Sequence, residues 1–369
     1  MRFRIIKINQ TLLFLVLLTI ILYYGRQLMV VLFFAALLSM LMAPLCRRLD
    51  NKGLHRAISC LICTAILLVI FLGMLAILVG QISGFVRDMS LLEQNANALL
   101  VSVQGFIERN FDVPAAEQTE FIKKESESFS RFLRNYLTGM LKSSVQLLAS
   151  LIITLVLTFL FLFHKEKYYS FFLKFTSGDT QQQREGLLNN ISKVSQRYLI
   201  GRGISILTLT FLYAISLFVI GIKNTLLLAV VAGLFNIIPF LGPILAAIFP
   251  VLVALVTEDT YQPAIWVLVS FCLFQALDNY YITPYFLGGE VSLSALSTIV
   301  IMICGGFLWG IAGMILFIPM LSIAKIIFDA VPGLQLYGDL IGDSAGTRPS
   351  TGLAKWFKRL IGSKEKRNT

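Results

Sequence analysis

The chain has 369 residues, of which 57% are hydrophobic, with a mean hydropathy of +0.81 and a formal net charge of +11. Soluble globular domains are about 45–50% apolar and rarely contain apolar runs of about 18 residues, so the recurrence of such runs here excludes a soluble globular domain and predicts an integral membrane protein. The positive charges lie in short segments beside the apolar runs, where they orient the chain and attract anionic lipid rather than form a basic face for nucleic acid.

The N-terminal segment begins like a secretory signal, with Arg2, Arg4 and Lys7 ahead of an apolar run. No small-residue cleavage site follows, and a second apolar run begins at once, so we expect an uncleaved first span. Along the chain, the apolar runs predict about eight transmembrane helices, at 10–25, 27–45, 57–81, 145–164, 203–221, 262–282, 292–308 and 310–329. Basic connections alternate with neutral or acidic ones, which predicts that both termini are cytoplasmic.

We divide the chain into an N-terminal three-span region (1–81), an extracytoplasmic segment (82–144), a transport core (145–330) and a basic cytoplasmic tail (331–369). In 82–144, apolar residues from Ile82 to Phe106 recur at alternating steps of three and four, which is a heptad seam. A second amphipathic stretch leads into the fourth span. The segment therefore predicts a helical hairpin outside the membrane, whose apolar faces pack together or contact another subunit.

Segment 165–202 is a basic cytoplasmic connection with Phe171, Phe172 and Phe175 among its lysines. This pattern is typical of an amphipathic helix in the lipid headgroup layer. The Lys/Arg-rich C-terminal end has a similar pattern, and a solvated tail explains it equally well. Membrane lipid is therefore an expected partner.

The most informative feature lies between the fifth and sixth spans, at 224–257. Two apolar runs, Thr225–Ile238 and Ile244–Val256, are joined by Pro239-Phe240-Leu241-Gly242-Pro243. At about 1.5 Å per residue the first run reaches only about 21 Å, short of the roughly 30 Å hydrocarbon core. The segment is either a re-entrant, cavity-lining hairpin or a tight outer turn between two short spans. On the first interpretation, the pathway of a solute or ion is lined by Asn236, Pro239, Gly242 and Pro243. The Asn236 amide alternatively satisfies backbone groups freed by the break.

Strongly polar residues inside a span are costly and indicate function. Gln275, Asp278 and Asn279 stand three and four residues apart, so one helical face carries all three, and the helix breaker Pro284 follows. Burial of a carboxylate favours binding of a proton or a cation, which suits ion coupling. Alternatively, Asp278 lies about 24 Å along its helix from Gln262, at the cytoplasmic headgroups, and serves only as a cap or anchor.

The last two spans are rich in glycine, which allows helices to approach closely in lipid. The residues assigned to helix packing or to a hinge are Gly305, Gly306, Gly310, Gly313 and Pro319. Near the cytoplasmic end, Lys325 and Asp329 are spaced i,i+4 and predict an ion pair.

Enzyme and metal-site signals are absent from the sequence. It contains no phosphate-binding loop, no H-E-x-x-H and no G-x-S-x-G. Cys60-x-x-Cys63 has no partner pair, and only two histidines are present, so we expect small buried thiols and no metal site or cofactor. Any transport must run downhill or couple to an ion gradient, unless a partner supplies the energy.

These segments together resemble the autoinducer-2 exporter family of bacterial permeases over nearly the whole chain. The resemblance rests on three stretches: Asn236-Ile-Ile-Pro239-Phe-Leu-Gly242-Pro243 followed by Pro250; Gln275-Ala-Leu-Asp278-Asn279 leading to Pro284 and Gly288; and Gly305-Gly306-Phe-Leu-Trp-Gly310-Ile-Ala-Gly313 followed by Pro319. It implies multi-pass inner-membrane proteins without ATPase domains, homo-oligomeric in some cases. Some members are linked to export of a small furanosyl signal molecule and others to sodium–proton exchange.

The sequence thus predicts an all-α polytopic membrane protein with about eight transmembrane helices, a broken hairpin and an extramembrane helical hairpin. The leading interpretation is a secondary transporter that exports a small polar metabolite across the bacterial inner membrane, with Asp278 and Asn279 as coupling or gating groups for protons or sodium. A monovalent cation/proton antiporter is the first alternative. A non-transporting scaffold that acts through 82–144 is the second.

Overall fold

The structure, a computed structural model, describes residues 2–87, 139, 147–175, 180–258, 260–287 and 293–343. Within these ranges the chain is helical and forms no strand beyond one isolated bridge between Leu293 and Gly342. The helices are α1 (Arg2–Tyr24), α2 (Arg26–Asn51), α3 (Arg56–Arg87), α4 (Leu147–Phe163), α5 (Lys165–Phe175), α6 (Gln181–Ile220), α7 (Thr225–Phe235), α8 (Leu241–Thr257), α9 (Gln262–Leu277), α10 (Thr283–Leu287), α11 (Ala295–Trp309), α12 (Ile311–Ala330) and α13 (Gln335–Ile341), with a π-helical turn, Asp278–Ile282, between α9 and α10.

Where the structure describes them, all eight predicted spans fall on helices, which confirms the all-α polytopic class. In the described part of the chain, 5 helical stretches are long and apolar enough to cross a membrane, or 6 if α4 and α5 form one broken span. One of these stretches, Ala295–Ala330, holds two predicted spans, because the chain breaks at Gly310 between α11 and α12. The eight apolar runs therefore correspond to fewer qualifying stretches, which also do not include α1.

Helix α6 is the longest element, with 40 residues. It begins at a capping box, in which the Thr180 hydroxyl accepts from the Gln183 amide and the Gln183 side chain accepts from the Thr180 amide. It ends at Gly221, whose φ of 91° is a left-handed conformation that glycine adopts without strain. At 1.5 Å per residue α6 is about 60 Å long, roughly twice the hydrocarbon thickness. Its polar N-terminal half lies outside the apolar run that predicted only 203–221.

The largest buried core forms where α6, α7, α8 and α9 meet. Side chains with little or no exposure come from all four helices, among them Leu209, Leu228, Ala254 and Phe271. A Cβ at Gly233 of α7 would collide with the Thr210 hydroxyl of α6. The two helices therefore need a residue without a side chain at this crossing.

Helices α11 and α12 fold back on each other at Gly310, which has a φ of 63°. A Cβ at Gly305 would come within 2.6 Å of the Gly313 carbonyl oxygen, and a Cβ at Gly306 would come within 2.7 Å of the Met314 side chain. Pro319 is buried within α12. The Trp309 indole packs edge-on against Phe317 and donates to the Leu22 carbonyl of α1 at 2.8 Å. The glycine pair sets the close spacing of this helical hairpin.

Helices α2, α3 and α4 bury three thiols together. Cys46, Cys60 and Cys63 have no exposed surface, and the Cys46 and Cys60 sulfurs are 3.5 Å apart. The prediction of small buried thiols at Cys60-x-x-Cys63 is confirmed, whereas Cys272 and Cys304 are exposed. Those two residues are exposed because they lie on the outer faces of α9 and α11, away from the helix contacts.

Two further predictions concern the Lys325–Asp329 ion pair and the hairpin at 82–144. Lys325 and Asp329 form the expected ion pair at 2.6 Å. The predicted hairpin at 82–144 lies outside the described residues, apart from 82–87 at the end of α3 and residue 139, and so does the tail beyond residue 343.

Candidate functional site

The connection between α7 and α8 is a tight break: α7 ends at Phe235 and α8 begins at Leu241. Helix α7 has 11 residues and α8 has 17, or about 16 Å and 25 Å, so each is shorter than the roughly 30 Å core. Phe240 has φ 63° and ψ −50°, and the Leu241 amide donates to the Pro239 carbonyl at 2.7 Å. This is the rare γ-turn geometry, which is strained for a residue with a side chain.

Gly242 and Pro243 occupy the first turn of α8, where each fits for a different reason. A Cβ at Gly242 would collide with the Phe235 carbonyl oxygen at the end of α7, so the two helix ends meet only because this residue has none. The Gly242 amide donates to the Ile238 carbonyl at 2.9 Å. Pro243 lies where a helix has no use for an amide donor. The residues therefore account for the sharpness of the break.

Asn236 caps the C-terminal end of α7 and is 1% exposed. Its Nδ2 donates to the Ala232 carbonyl at 3.1 Å and to the Tyr213 hydroxyl at 3.3 Å. Its Oδ1 is buried and accepts no hydrogen bond from any residue that the structure describes. A buried acceptor without a donor costs about 1–3 kcal/mol. Among the described residues, Asn236 Oδ1 is therefore an unsatisfied hydrogen-bond acceptor at the helix break.

Tyr213 of α6 links Asn236 to the polar residues of α9. Its ring stacks on Phe271, with centroids 4.0 Å apart and an angle of 11° between the planes. Its hydroxyl donates to Gln275 Oε1 at 3.5 Å, and Gln275 Nε2 donates to Asn279 Oδ1 at 3.4 Å. A chain of hydrogen bonds therefore runs from the broken hairpin across α6 to the end of α9.

Asp278 begins the π-helical turn and is 2% exposed. Its Oδ1 accepts from the Ser205 hydroxyl of α6 at 2.6 Å and from the Thr283 hydroxyl at 3.2 Å. A π-helical turn within a helix is rare and frequently marks a functional site. The carboxylate is thus held inside the protein against the middle of α6.

The π-helical turn separates the residues that share one face in the sequence. Asp278 points into the protein, Gln275 is half-buried and Asn279 is exposed. Pro284 is also exposed, within the short helix α10. The structure thus brings Asn236 and Gln275 together through Tyr213, brings Asp278 to Ser205, and leaves Asn279 and Pro284 at the surface of the chain.

Sequence reasoning missed Ser205 and Tyr213, which connect the two halves of the site. Both lie on the buried face of α6, in register with Tyr198 and Leu209. A polar side chain recurring on the inward face of an otherwise apolar helix is the signal that identifies such residues. Among the residues that the structure describes, no group of three or more His, Cys, Asp or Glu side chains could hold a metal ion.

The fold and this network define a polytopic all-α membrane protein with a broken hairpin and a buried carboxylate at its core. The family described as AI-2E family transporter matches residues 12–333. The chain belongs to this family of transporters, which confirms the resemblance found in the sequence.

Several relatives align along most of the chain. The AI-2 transport protein TqsA of Escherichia coli strain K12 is 24% identical over 326 residues, which cover 87% of this chain and 91% of TqsA. Two others carry the name "Putative transport protein". YhhT of Escherichia coli strain K12 is 22% identical over 86% of this chain and 87% of its own length. YrrI of Bacillus subtilis strain 168 is 23% identical over 78% of this chain and 82% of its own length.

Proposed function

We propose that this transporter is a secondary exporter of a small polar metabolite or signal molecule in the bacterial inner membrane. It works as a homo-oligomer with both termini in the cytoplasm, and residues 145–330 form the transport core. The solute pathway passes the broken hairpin, at Asn236, Pro239, Gly242 and Pro243. The name of the relative TqsA supports AI-2 as the first solute to test.

The observation that carries this proposal is the unmet acceptor at the helix break. Asn236 Oδ1 is buried and accepts no hydrogen bond within the described ranges, while its amide nitrogen is held in place by Ala232 and Tyr213. A fixed carbonyl oxygen of this kind accepts a hydroxyl from a passing polar solute. Ligand sites of transporters commonly lie at helices broken in this way.

Asp278 is the coupling group in this proposal, and Asn279, which accepts from Gln275 on the path toward the hairpin, is the gating group beside it. A buried carboxylate is neutral when protonated and charged when it is not, so its hydrogen bonds to Ser205 and Thr283 change in strength between the two states. Pro284 and the adjoining π-helical turn provide the backbone adaptation that this change requires. The glycines of α11 and α12 keep that hairpin rigid beside the moving parts.

A monovalent cation/proton antiporter is the second candidate, and the donors around Asp278 favour it. One carboxylate and the two hydroxyls of Ser205 and Thr283 converge on one point, and oxygen donors of this kind suit a hard cation. In this case protons and sodium compete for Asp278, and the hairpin carries no organic solute.

Flux measurements in proteoliposomes loaded with AI-2, under an imposed proton or sodium gradient, separate these functions. Asn236→Ala should reduce AI-2 export at least tenfold, whereas Gln196→Ala, which removes an amide bonded to Met40 outside the site, should leave it near the parent rate. Asp278→Asn should abolish gradient dependence. Sodium–proton exchange without AI-2 flux establishes the antiporter instead. No flux under any gradient, with cellular function lost on deletion of 82–144, overturns both.

A further inference from the structure

Helix α5 leaves the end of α4 at an angle of 70°, with His164 at the bend. Helix α4 is apolar, and transmembrane helices tilt on average about 20° from the bilayer normal. A helix that turns by this angle at the end of a span runs close to the plane of the membrane surface. The lysines of α5, Lys165, Lys167 and Lys174, predict that this helix lies at the cytoplasmic surface.

The residues of α5 fall on three separate faces. At 100° per residue, Lys165, Tyr169 and Leu173 share an inward face, and these three are partly buried. Exposed aromatic side chains occupy a second face: Tyr168 is 40% exposed, and Phe171 and Phe172 are each 53% exposed. Lys167, Ser170 and Lys174 form a third, polar and exposed face.

Two ion pairs fix the orientation of these faces. Lys165 Nζ lies 2.7 Å from Asp50 Oδ2 at the end of α2, and Glu166 Oε2 lies 2.9 Å from Arg56 Nη1 at the start of α3. These contacts use the first two residues of α5 and hold its inward face against the helix ends. The aromatic and basic faces therefore keep a constant direction relative to the spans.

Lys167 and Lys174 are exposed, and within the described ranges neither forms an ion pair. At 100° per residue they lie beside Phe171 at the edge of the aromatic face, on the side of α5 away from its inward face. A helix in the membrane plane buries its aromatic face at the boundary between headgroups and acyl chains, and lysines beside that face reach the headgroup phosphates. Cationic side chains at this depth select anionic lipid over zwitterionic lipid.

We propose that α5 is a binding site for anionic phospholipid. Tyr168, Phe171 and Phe172 insert at the acyl boundary, and Lys167 and Lys174 bind the phosphates of lipids such as phosphatidylglycerol. The site is separate from the polar network of α6 and α9, so it holds whether or not the proposed transport function does.

Quenching by brominated lipids tests this directly. A tryptophan introduced by Phe172→Trp in the full chain, reconstituted in vesicles, should be quenched by dibrominated phospholipid relative to the parent protein, whose native tryptophans give the background. Competition between brominated phosphatidylglycerol and brominated phosphatidylcholine then measures lipid selectivity. Each lysine near an anionic surface contributes about 1 kcal/mol, or about fivefold, so Lys167→Gln and Lys174→Gln should each lower the preference for phosphatidylglycerol about fivefold.

Lys223→Gln is the matched control. Lys223 is also exposed, but it follows the C-terminal end of α6, whereas α5 precedes the N-terminal end of α6. It should leave the preference unchanged, and Phe171→Trp provides a second reporter if Phe172→Trp does not fold. Equal quenching by the two lipids overturns the proposal. So does a tryptophan that is shielded from water but not quenched by either lipid, since a second copy of the chain or another protein then covers the face.

Discussion

Removal of the Ser205 hydroxyl tests whether α6 stabilises the charge of Asp278. Ser205 has no exposed surface, and its hydroxyl donates to Asp278 Oδ1 at 2.6 Å. A hydrogen bond to a charged group contributes about 1.5–3 kcal/mol, against about 0.5–1.5 kcal/mol for a neutral pair. Ser205→Ala should therefore cost about 2 kcal/mol of the free energy of unfolding and lower the melting temperature of the detergent-solubilised protein by several degrees.

Ser322→Ala is the matched control, because Ser322 is also buried in a helix but donates to the backbone carbonyl of Ile318. It should cost less than about 1 kcal/mol. The decisive measurement is a double-mutant cycle: in an Asp278→Asn background, Ser205→Ala should cost only as much as a neutral hydrogen bond. If Ser205→Ala is no more destabilising than Ser322→Ala, or if its cost is the same in both backgrounds, the charged interaction does not exist.

Three further predictions concern the α11–α12 hairpin, the broken hairpin, and the link from the broken hairpin to α9. Gly305→Ala should cost about 1–3 kcal/mol of stability, as overpacking does, because its Cβ meets the Gly313 backbone; an unchanged melting temperature would show that the helices separate freely. Phe240→Gly should keep or raise the melting temperature, since glycine relieves about 1–3 kcal/mol of backbone strain at φ 63°, and a drop of several degrees would refute the strain. Tyr213→Phe keeps the ring stack but removes the hydroxyl bonded to Asn236, so export should fall while the folded yield is unchanged, and wild-type export would exclude Tyr213 from the pathway.

Much of the fold follows from hydropathy alone. Each apolar run became a helix, and the proline-punctuated stretch became a break between Phe235 and Leu241, because prolines and a crowded glycine leave no alternative there. The start of α6 was missed because its first half is polar. Thr180 and Gln183 nevertheless carry the spacing of a capping box, which the sequence displays.

The arrangement of the candidate site was less accessible to sequence reasoning. Helical spacing placed Gln275, Asp278 and Asn279 on one face, yet the π-helical turn directs Asp278 inward and leaves Asn279 exposed. Within that turn, Asp278 accepts hydrogen bonds from Ser205, 73 residues away, and from Thr283. Contacts between distant segments of this kind leave no periodic signal, so only the structure reveals them.

The uninterrupted course of α6 has a mechanical consequence. Ser205 and Tyr213 stand about 12 Å apart on this single rod, one holding the carboxylate and the other holding the hairpin. A helix slides or pivots far more easily than it stretches, so a displacement at Ser205 is transmitted to Tyr213. In the proposed transporter, the carboxylate and the hairpin would therefore be coupled mechanically through one helix.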